Sequence, residues 1–307
     1  MTMSASSSSR RLLGIDWGTS NRRAYVVGPA GTCLSSHADG EGMLAARNDF
    51  AGAFNALLAT MGVGPDVPVV ASGMVGSAQG WREVPYLDIA VPLEALPERL
   101  VRVDDPRAVR PCLIVPGYAQ RGGRVDVMRG EETQLLGAVA LGLRDGWFVL
   151  PGTHSKWVHL EDGVIHRIAT FMTGELFATL AAHGTLAPLM ANDADDDAAF
   201  VAGLDEARGG APLSNALFGA RARVVTGAMP ATQARSFVSG LLIGTEFVAA
   251  LALADAGAGA DLVCIGSATL RDRYARAARH VGMTLAGLDP DRVYCAALAR
   301  FIDRIPA

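Results

Sequence analysis

Short apolar runs separated by small polar turns begin the chain. The pattern predicts buried strands over residues 12–17, 22–28 and 32–36. The turns that join them read Gly-Thr-Ser-Asn and Pro-Ala-Gly-Thr, which are typical turn sequences. An ordinary hairpin would carry Asn-Gly or Asp-Gly at its tip, so the acid, glycine and hydroxyls of the first turn call for another explanation.

The same pattern returns in the middle of the chain. Strands are predicted over residues 147–150, 156–160 and 164–171, with a Gly-Thr turn after the first and an Asp-Gly hairpin turn after the second. This repeat of strand, Gly-Thr turn, strand, turn and strand predicts an internal duplication of topology. The two copies share little sequence, so a chance recurrence is the alternative.

Helical spacing of apolar residues follows each copy. It predicts helices over 51–61, 130–143, 175–187, 236–256 and 269–281, and a buried strand over 261–265. The chain is therefore expected to form two mixed α/β domains after a polar tail. The expected limits are residues 1–11 for the tail, 12–143 for the N-terminal domain and 144–307 for the C-terminal domain.

Two of these helices carry small residues within apolar faces. Gly240 and Gly244 lie four residues apart, and Gly137 with Ala138 occupies the equivalent place in the earlier helix. Small residues at this spacing let two helix backbones approach closely. A close crossing between domains and a simple richness in alanine and glycine explain the pattern equally well.

Composition limits the function classes. The chain has 307 residues, half of them apolar, and a net charge of -4 with its basic residues dispersed. We therefore expect a soluble protein with no nucleic-acid partner, no membrane partner and no signal peptide. The cysteines at 33, 112, 264 and 295 have no metal or redox spacing, which favours the cytoplasm. A homo-oligomer is possible.

The first turn offers groups that bind phosphate and metal. Gly18 lets a backbone approach closely, and the backbone and side chains of Thr19, Ser20 and Asn21 can donate to phosphate oxygens. Asp16, at the end of the strand, is a candidate Mg²⁺ ligand. A hairpin in which Asp16 only caps the turn is the alternative.

The second turn comprises Gly152, Thr153, His154, Ser155 and Lys156. Lys156 is the single lysine among 27 basic residues, and an ammonium group suits a transferring phosphate. A lysine on an edge strand and a packed turn histidine are the ordinary alternatives.

Neither turn matches a P-loop or a Gly-x-Gly-x-x-Gly fingerprint, so a bound nucleotide would lie between two loops. A third candidate is "CIGSATL", where a strand ends in Gly266-Ser267 and a helix begins. Such a junction accepts a purine or a phosphate, but it is also an ordinary strand–helix turn.

Two adjacent acids begin the helix predicted at residue 130, within "VMRGEETQ". Glu131 and Glu132 are favoured at a helix N-terminus by the helix dipole alone. Alternatively, one of them is the general base that orients an acceptor alcohol and takes its proton. The neighbouring Arg129 could then receive an acid group.

Together these motifs resemble the actin-like ATPase superfamily, which includes sugar kinases. The two Gly-Thr loops are similar to its phosphate motifs, the helices with Gly137 and Gly240 to its connecting helices, and "CIGSATL" to its adenosine motif. The resemblance implies two ribonuclease H-like domains, with ATP in the cleft between them. Leu150-Pro151 stands where the second phosphate loop of the superfamily often has an acid, so a metal ligand is missing there.

Within the superfamily, "GIDWGTSNRRAY", "ASGMVGSAQGWREVPY", "RGEETQ", "PGTHSKW" and "FMTGELF" resemble the 2-dehydro-3-deoxygalactonokinase family. The resemblance implies ATP- and Mg²⁺-dependent phosphorylation of 2-keto-3-deoxy-D-galactonate at its 6-hydroxyl, in galactonate catabolism. Asp16 would hold the metal, and Glu131 would be the base, with Glu132 as the alternative.

A keto acid also needs cationic or amide donors for its carboxylate. Arg22, Arg82 and Arg129 are unranked candidates for that role, with solvated surface arginines as the alternative. Ser72, Gln79, Glu83 and Tyr86 are candidates for the sugar hydroxyls.

Two rival functions stay open. One is a kinase for a different sugar acid. The other is a nucleotide-gated switch of the chaperone or activator type, whose ATPase activity would be indifferent to added sugar acid.

Overall fold

The computed structural model describes residues 10–254, 261–302, 304 and 305. Residues 1–9 of the expected tail lie outside the described residues.

The strands are β1 Leu12–Trp17, β2 Arg22–Val27, β3 Cys33–Asp39, β4 Val69–Gly73, β5 Leu87–Asp88, β6 Val101–Val103, β7 Cys112–Ile114, β8 Tyr118–Gln120, β9 Asp126–Met128, β10 Gly146–Leu150, β11 Ser155–Glu161, β12 Val164–Phe171, β13 Asp261–Ile265 and β14 Thr284–Leu288. The helices are α1 Met43–Ala46, α2 Phe50–Met61, α3 Glu131–Ala140, α4 Thr173–Ala182, α5 Asp197–Arg208, α6 Leu213–Val225, α7 Ala234–Ala254, α8 Ala268–His280 and α9 Pro290–Ile302.

Two sheets repeat one topology. The strand order is β3-β2-β1-β4-β7-β6 in the first sheet and β12-β11-β10-β13-β14 in the second. In each, the first strand lies in the middle, with two consecutive strands on one side and the next strands on the other. β4 pairs parallel with β1, and β13 pairs parallel with β10. The predicted duplication of topology is confirmed. A small third sheet has the order β5-β8-β9.

Local sequence sets several helix starts. Asp49 accepts the N–H of Gly52 at 3.0 Å and caps α2, and Asp196 accepts the N–H of Ala199 at 2.8 Å and caps α5. These side chains satisfy backbone donors that have no partner within the helix.

The chain forms two compact units that differ from the expected domains. Of the described residues, the first unit contains 10–145, 159–168, 289–302, 304 and 305, and the second contains 146–158, 169–254 and 261–288. The C-terminal segment therefore belongs to the first unit and not, as expected, to the second. The reason is packing: a Cβ on Gly14 of β1 would collide with Leu298, and a Cβ on Gly137 of α3 would collide with the carbonyl of Val293.

The close helix crossing lies inside the second unit. A Cβ on Gly240 would stand 2.0 Å from the carbonyl oxygen of Phe200, and one on Gly203 would stand 2.1 Å from that of Phe237. The glycines of α7 thus let α5 pack against its backbone. This corrects two expectations: the crossing is not between domains, and Gly240 faces a helix instead of a nucleotide.

Each unit has its own apolar core. In the first, Trp17, Phe50, Phe54 and Trp81 pack edge to face or tilted beneath β1. In the second, Trp157, Phe247 and Tyr274 form a similar stack. Residues Ala231–Ala252 are long and apolar enough to cross a bilayer, but 72% of that window is buried inside the protein.

Candidate active site

The first loop, residues 18–21, is held in place by hydrogen bonds that its backbone carbonyls accept. The N–H of Met43 donates to the oxygen of Gly18 at 2.8 Å, and that of Leu44 donates to Thr19 at 3.1 Å. Gly42 lies so close to the loop that a Cβ would stand 2.4 Å from the carbonyl carbon of Ser20. The side chains of Thr19, Ser20 and Asn21 are consequently turned to solvent.

Asp16 ends β1 just before this loop, and its side chain is half-buried. Burial raises its pKa to about 6; Arg23 opposes the shift, whereas Glu131 and Asp291 add to it. Within the described residues no group donates a hydrogen bond to this carboxylate. An acid in this state gains from a cation, because the cation would offset both the burial and the neighbouring negative charges.

Two glycines bring Glu131 to Asp16. Gly73 ends β4 with φ +91°, and a Cβ there would stand 2.8 Å from the carbonyl oxygen of Trp17 and 3.5 Å from Oδ1 of Asp16. Gly130 precedes α3 with φ +111°, and its Cβ would stand 3.3 Å from the Cα of Gly73. Only glycine adopts these conformations readily, so the backbone of α3 begins against the end of β4.

The two acids at the start of α3 have different surroundings. Glu132 is fully buried and accepts the N–H of Gly130 at 2.7 Å. Burial, then Glu131, raises the pKa of Glu132 to about 8. Glu131 is half-buried and accepts the N–H of Arg129 at 3.0 Å. Near neutral pH Glu132 is thus mostly protonated and enclosed, whereas Glu131 reaches the surface beside Asp16.

Arg129, two residues before Glu131, has buried donors that no described residue uses. Its side chain is 8% exposed, its Nη2 donates to the carbonyl of Val84 at 2.7 Å, and its guanidinium lies 4.2 Å over the ring of Tyr86. Its Nε and Nη1 are buried with no hydrogen-bond partner. Each such donor costs about 1–3 kcal/mol, and both would be satisfied by an acid group.

Arg22 has a different role from the one expected. It is 3% exposed, makes a two-pronged contact with Asp39 at 3.2 and 2.7 Å, and donates to the carbonyl of Ala53 at 2.9 Å. Its guanidinium also stacks on Trp17. We therefore correct its assignment: Arg22 ties β2 to β3 and α2 and is not placed to receive a substrate carboxylate.

Ser72 also differs from expectation. It is fully buried and shares a 2.8 Å hydrogen bond with the hydroxyl of Tyr294 on α9. This bond occupies the hydroxyl away from solvent, so Ser72 is not available to a sugar hydroxyl.

The remaining substrate candidates lie on the segment after β4. Gln79, Arg82 and Glu83 are exposed, and none of these side chains makes a hydrogen bond or ion pair with the described residues. Arg82 lines a shallow depression with Trp81 and residues 103–107. Of this group, only Tyr86 is brought against Arg129.

The second loop lies against the N-terminus of α4. The N–H of Glu175 donates to the oxygen of Thr153 at 2.9 Å, and a Cβ on Gly174 would stand 2.2 Å from the oxygen of Gly152. Gly152, Thr153 and His154 are exposed. His154 and Glu175 share a hydrogen bond of 2.5 Å.

The end of that loop turns inward, against expectation. Ser155 is fully buried and donates to Glu246 at 2.7 Å. Lys156 is 6% exposed, and its ammonium donates to the hydroxyl of Thr170 on the paired strand at 3.0 Å. β11 starts at Ser155, so the side chains of Ser155 and Lys156 are held within the sheet. We therefore correct the prediction that these two residues bind the phosphates.

A pocket adjoins the second loop. Its lining includes Pro151 and Gly152, the first turns of α4 and α8, and apolar residues of α7. Gly266 packs against Pro151, and Ser267 accepts the N–H of Leu270 and caps α8. Neither Gly266 nor Ser267 lines the pocket itself: Gly266 only supports Pro151, which does, and the capping serine is already bonded.

Sequence reasoning missed several polar residues that the fold gathers. Glu246 is buried in α7 among hydroxyl and indole donors, and Asp291 accepts the hydroxyl of Tyr25 at 2.7 Å close to Asp16. An acid within the apolar helix "SFVSGLLIGTEFVAAL" is a signal that could have identified Glu246. No motif marks Asp291. No group of three His, Cys, Asp or Glu able to hold a metal occurs among the residues that the structure describes.

Comparison with known proteins identifies the family. The family model for 2-keto-3-deoxy-galactonokinase matches residues 16–301. The 2-dehydro-3-deoxygalactonokinase of Escherichia coli is 35% identical over 94% of this chain and 96% of its own length. A Rhizobium meliloti protein named "Probable 2-dehydro-3-deoxygalactonokinase" is 39% identical over 93% of this chain and 94% of its own length.

Solved structures agree in fold. A Sinorhizobium meliloti crystal structure assigned to the same activity has a TM-score of 0.85 and 36% identity, covering 94% of this chain and 96% of that one. The activator of the 2-hydroxyisocaproyl-CoA dehydratase from Clostridium difficile, solved with ADPNP, has a TM-score of 0.52 at 11% identity, over 95% and 94% of the two chains. That likeness shows the fold alone. The actin-like ATPase fold expected from the sequence is confirmed, and the chain belongs to the 2-keto-3-deoxy-galactonokinase family.

Proposed function

We propose that the protein is a kinase that transfers the γ-phosphoryl group of ATP to the 6-hydroxyl of 2-keto-3-deoxy-D-galactonate, in D-galactonate catabolism. The observation that carries the proposal is the approach of Glu131 to Asp16 at Gly73, with Arg129 two residues before Glu131 in the chain. Phosphoryl transfer to a hydroxy acid needs a carboxylate for a cation, a carboxylate for the alcohol and donors for the acid group. The names of the curated relatives support the same substrate.

We assign to Glu131 the role of binding the acceptor hydroxyl. Its half-buried carboxylate would orient the 6-hydroxyl and take its proton as the new oxygen–phosphorus bond forms and the bond from the γ-phosphorus to ADP breaks. Glu132 is the alternative, but its burial and raised pKa leave it poorly suited to accept a proton. Instead, it holds the N–H of Gly130 and so fixes the start of α3.

Arg129 is assigned the substrate carboxylate. Its Nε and Nη1 are buried and have no hydrogen-bond partner among the described residues, and a carboxylate can accept from both. Tyr86 supports the guanidinium from one face. A neutral sugar would leave both donors unsatisfied, so this arrangement favours an acid over an aldose or glycerol.

We assign nucleotide binding to the second unit. The pocket beside Gly152 has the largely apolar lining of a small-ligand site. The exposed backbone of Gly152 and Thr153, at the N-terminus of α4, would meet the phosphates. His154 is within reach as a further donor.

Asp16 fits a Mg²⁺ ion. Its carboxylate is half-buried, accepts no hydrogen bond from the described residues, and has Glu131 and Asp291 as well as Arg23 nearby. In phosphotransferases one or two carboxylates commonly suffice, because phosphates and water complete the shell. The cation would neutralise the charge on the transferring phosphate.

A cytoplasmic location accompanies the proposal. The four cysteines are free thiols, and three of them are buried. Unpaired thiols are typical of a reducing compartment.

The test is an assay of ADP release with ATP and Mg²⁺. The acceptors are 2-keto-3-deoxygalactonate, its gluconate epimer, galactose, glycerol and none. Release with the galactonate acid, alone or with weaker release from its epimer, and its loss on chelating Mg²⁺, are the expected results. Equal slow release in every tube would instead identify a nucleotide-gated switch.

A further inference from the structure

The carboxylate of Glu246 lies at the meeting point of four polar side chains. Its Oε1 accepts hydrogen bonds from Ser155 Oγ and Trp157 Nε1, each at 2.7 Å. Its Oε2 accepts from Tyr274 Oη at 2.9 Å and from the hydroxyl of Thr173. These residues come from β11, α8 and the start of α4, while Glu246 lies on α7. One buried carboxylate therefore connects four elements of the second unit.

The arrangement fixes Glu246 as an acceptor. The side chain is 2% exposed, and the indole of Trp157 can only donate. Burial raises the pKa of Glu246, and its four hydrogen bonds act in the opposite direction. All acceptor positions are used within the protein, so the carboxylate is not itself available to a ligand.

Stability alone is a poor explanation for such a group. Well-packed apolar residues usually stabilise a protein as much as a buried charge with its partners does. A fully satisfied polar network instead fixes the geometry of the elements that it joins, because each donor is held at one place and in one orientation.

The donors adjoin the surfaces assigned to the nucleotide. Ser155 directly follows the exposed loop Gly152–His154, whereas Thr173 and Tyr274 line the adjacent pocket. Through Glu246, the loop that would meet the phosphates is tied to two walls of the pocket that would hold the base and ribose.

We propose that Glu246 is a positioning residue that sets the spacing between the second phosphate loop and the nucleotide pocket. This inference rests on the proposed function, since it assigns that pocket to ATP. The affinity for ATP therefore depends on Glu246, whereas the affinity for the sugar acid, held in the first unit, does not.

The test compares Glu246→Leu with Glu246→Gln. Leucine removes both acceptors. The oxygen of glutamine can still accept from Trp157 and Ser155, while its amide faces two hydroxyls that can turn to accept. We expect Glu246→Leu to weaken AMP-PNP binding in calorimetry about 10-fold or more and to raise the KM for ATP in parallel, because small displacements of a site are costly. The KM for the sugar acid should stay within about twofold, and Glu246→Gln should restore most of the nucleotide affinity.

Thr245→Val is the matched control. Thr245 is the preceding residue on α7, and its hydroxyl bonds only back to the carbonyl of Leu241. Its loss should leave nucleotide binding unchanged.

Two further variants keep the inference testable if Glu246→Leu does not fold. Ser155→Ala and Trp157→Phe each remove one donor that does not line the pocket, and each should weaken AMP-PNP binding. Lower melting temperatures with unchanged AMP-PNP affinity in these variants would overturn the inference. Normal AMP-PNP binding without ADP release dependent on sugar acid in the wild-type protein would instead count against the proposed function.

Discussion

Gly130 stands directly against Gly73: a Cβ on Gly130 would lie 3.3 Å from the Cα of Gly73. Both residues have positive φ angles, and both precede a change of chain direction. This backbone contact lets α3 begin at the end of β4, which puts Glu131 beside Asp16. The candidate catalytic acids are therefore positioned by residues that have no side chains.

Gly73→Ala should lower both stability and kcat, whereas a glycine that is only conformationally strained should affect stability alone. The variant forces alanine into φ +91° and its Cβ to 2.8 Å from the carbonyl oxygen of Trp17. We expect a loss of about 1–3 kcal/mol in stability and a fall in kcat of at least about 10-fold, because the end of β1 must shift. Gly142→Ala is the control, since Gly142 has φ +93° with nothing within 4 Å. Equal kcat values in the two variants would contradict this role for Gly73.

Arg129→Gln should raise the KM for the sugar acid. Losing a charged hydrogen-bonding partner costs about 1.5–3 kcal/mol, or roughly 10- to 100-fold. The KM for ATP should not change. Arg129→Lys should recover only part of the loss, because an ammonium lacks the planar fork of donors. Steady-state kinetics with each substrate varied gives both values.

The control for Arg129 is Arg82→Gln, an exposed arginine on the neighbouring segment. It should leave both KM values near the wild-type values. If Arg82→Gln raised the KM for the sugar acid more than Arg129→Gln did, Arg82 would be the residue that binds the substrate carboxylate.

Glu131→Gln should lower kcat by about 10²- to 10⁴-fold, the usual contribution of a general base. The KM for ATP should change little. Glu132→Gln is the matched control on the next residue, and we expect it to retain most of the activity, because an amide resembles the protonated acid. A reversed order of the two kcat values would make Glu132 the base.

Glu132 should also make stability depend on pH. Its pKa is raised from 4.5 to about 8 in the folded protein, so folding favours the protonated form. Its contribution is fully present below about pH 4.5 and is lost as the pH rises through 8, by several kcal/mol in total. The stability difference between Glu132→Gln and wild type should therefore shift in favour of the variant across this range. Urea denaturation at several pH values measures it, and a constant difference would refute the shift.

Gly240→Ala should be among the most destabilising helix substitutions. Its Cβ would stand 2.0 Å from a backbone oxygen of α5, so α5 and α7 must move apart, at a cost of about 3 kcal/mol or more. Gly219→Ala is the control, because that helical position on α6 is open. There alanine should stabilise by about 0.5–1 kcal/mol. Thermal denaturation distinguishes the two directions.

Sequence patterns predicted the helices and strands whose apolar residues are regularly spaced. The strands at the start of both sheets, the duplication and the helices that follow them all have clear spacing of apolar residues. Helices α5, α6 and α9 and strand β14 were not predicted. In α6 the buried residues are only Ala216 and Ala220, so the apolar face is too weak to recognise from spacing.

Motifs in the sequence mark Asp16, Arg129 and Glu131 as candidates, and their roles stay predictions. The role of a side chain was not predictable where a partner elsewhere in the chain decides it. Arg22 meets Asp39, Ser72 meets Tyr294 and Ser155 meets Glu246. The Ser72 and Ser155 pairs form only after distant segments pack, whereas Arg22 and Asp39 lie opposite each other on the neighbouring strands β2 and β3. Nothing in the residue types or spacing near these positions indicates the partner.

Placing α9 in the first unit has a consequence for synthesis on the ribosome. Gly14 and Gly137 are covered by Leu298 and Val293, and Ser72 waits for Tyr294. The first half of the chain therefore emerges with an unfilled apolar groove over β1 and α3. That groove closes only when α9 has left the exit tunnel, so the first unit is completed after the segments of the second unit have been synthesised.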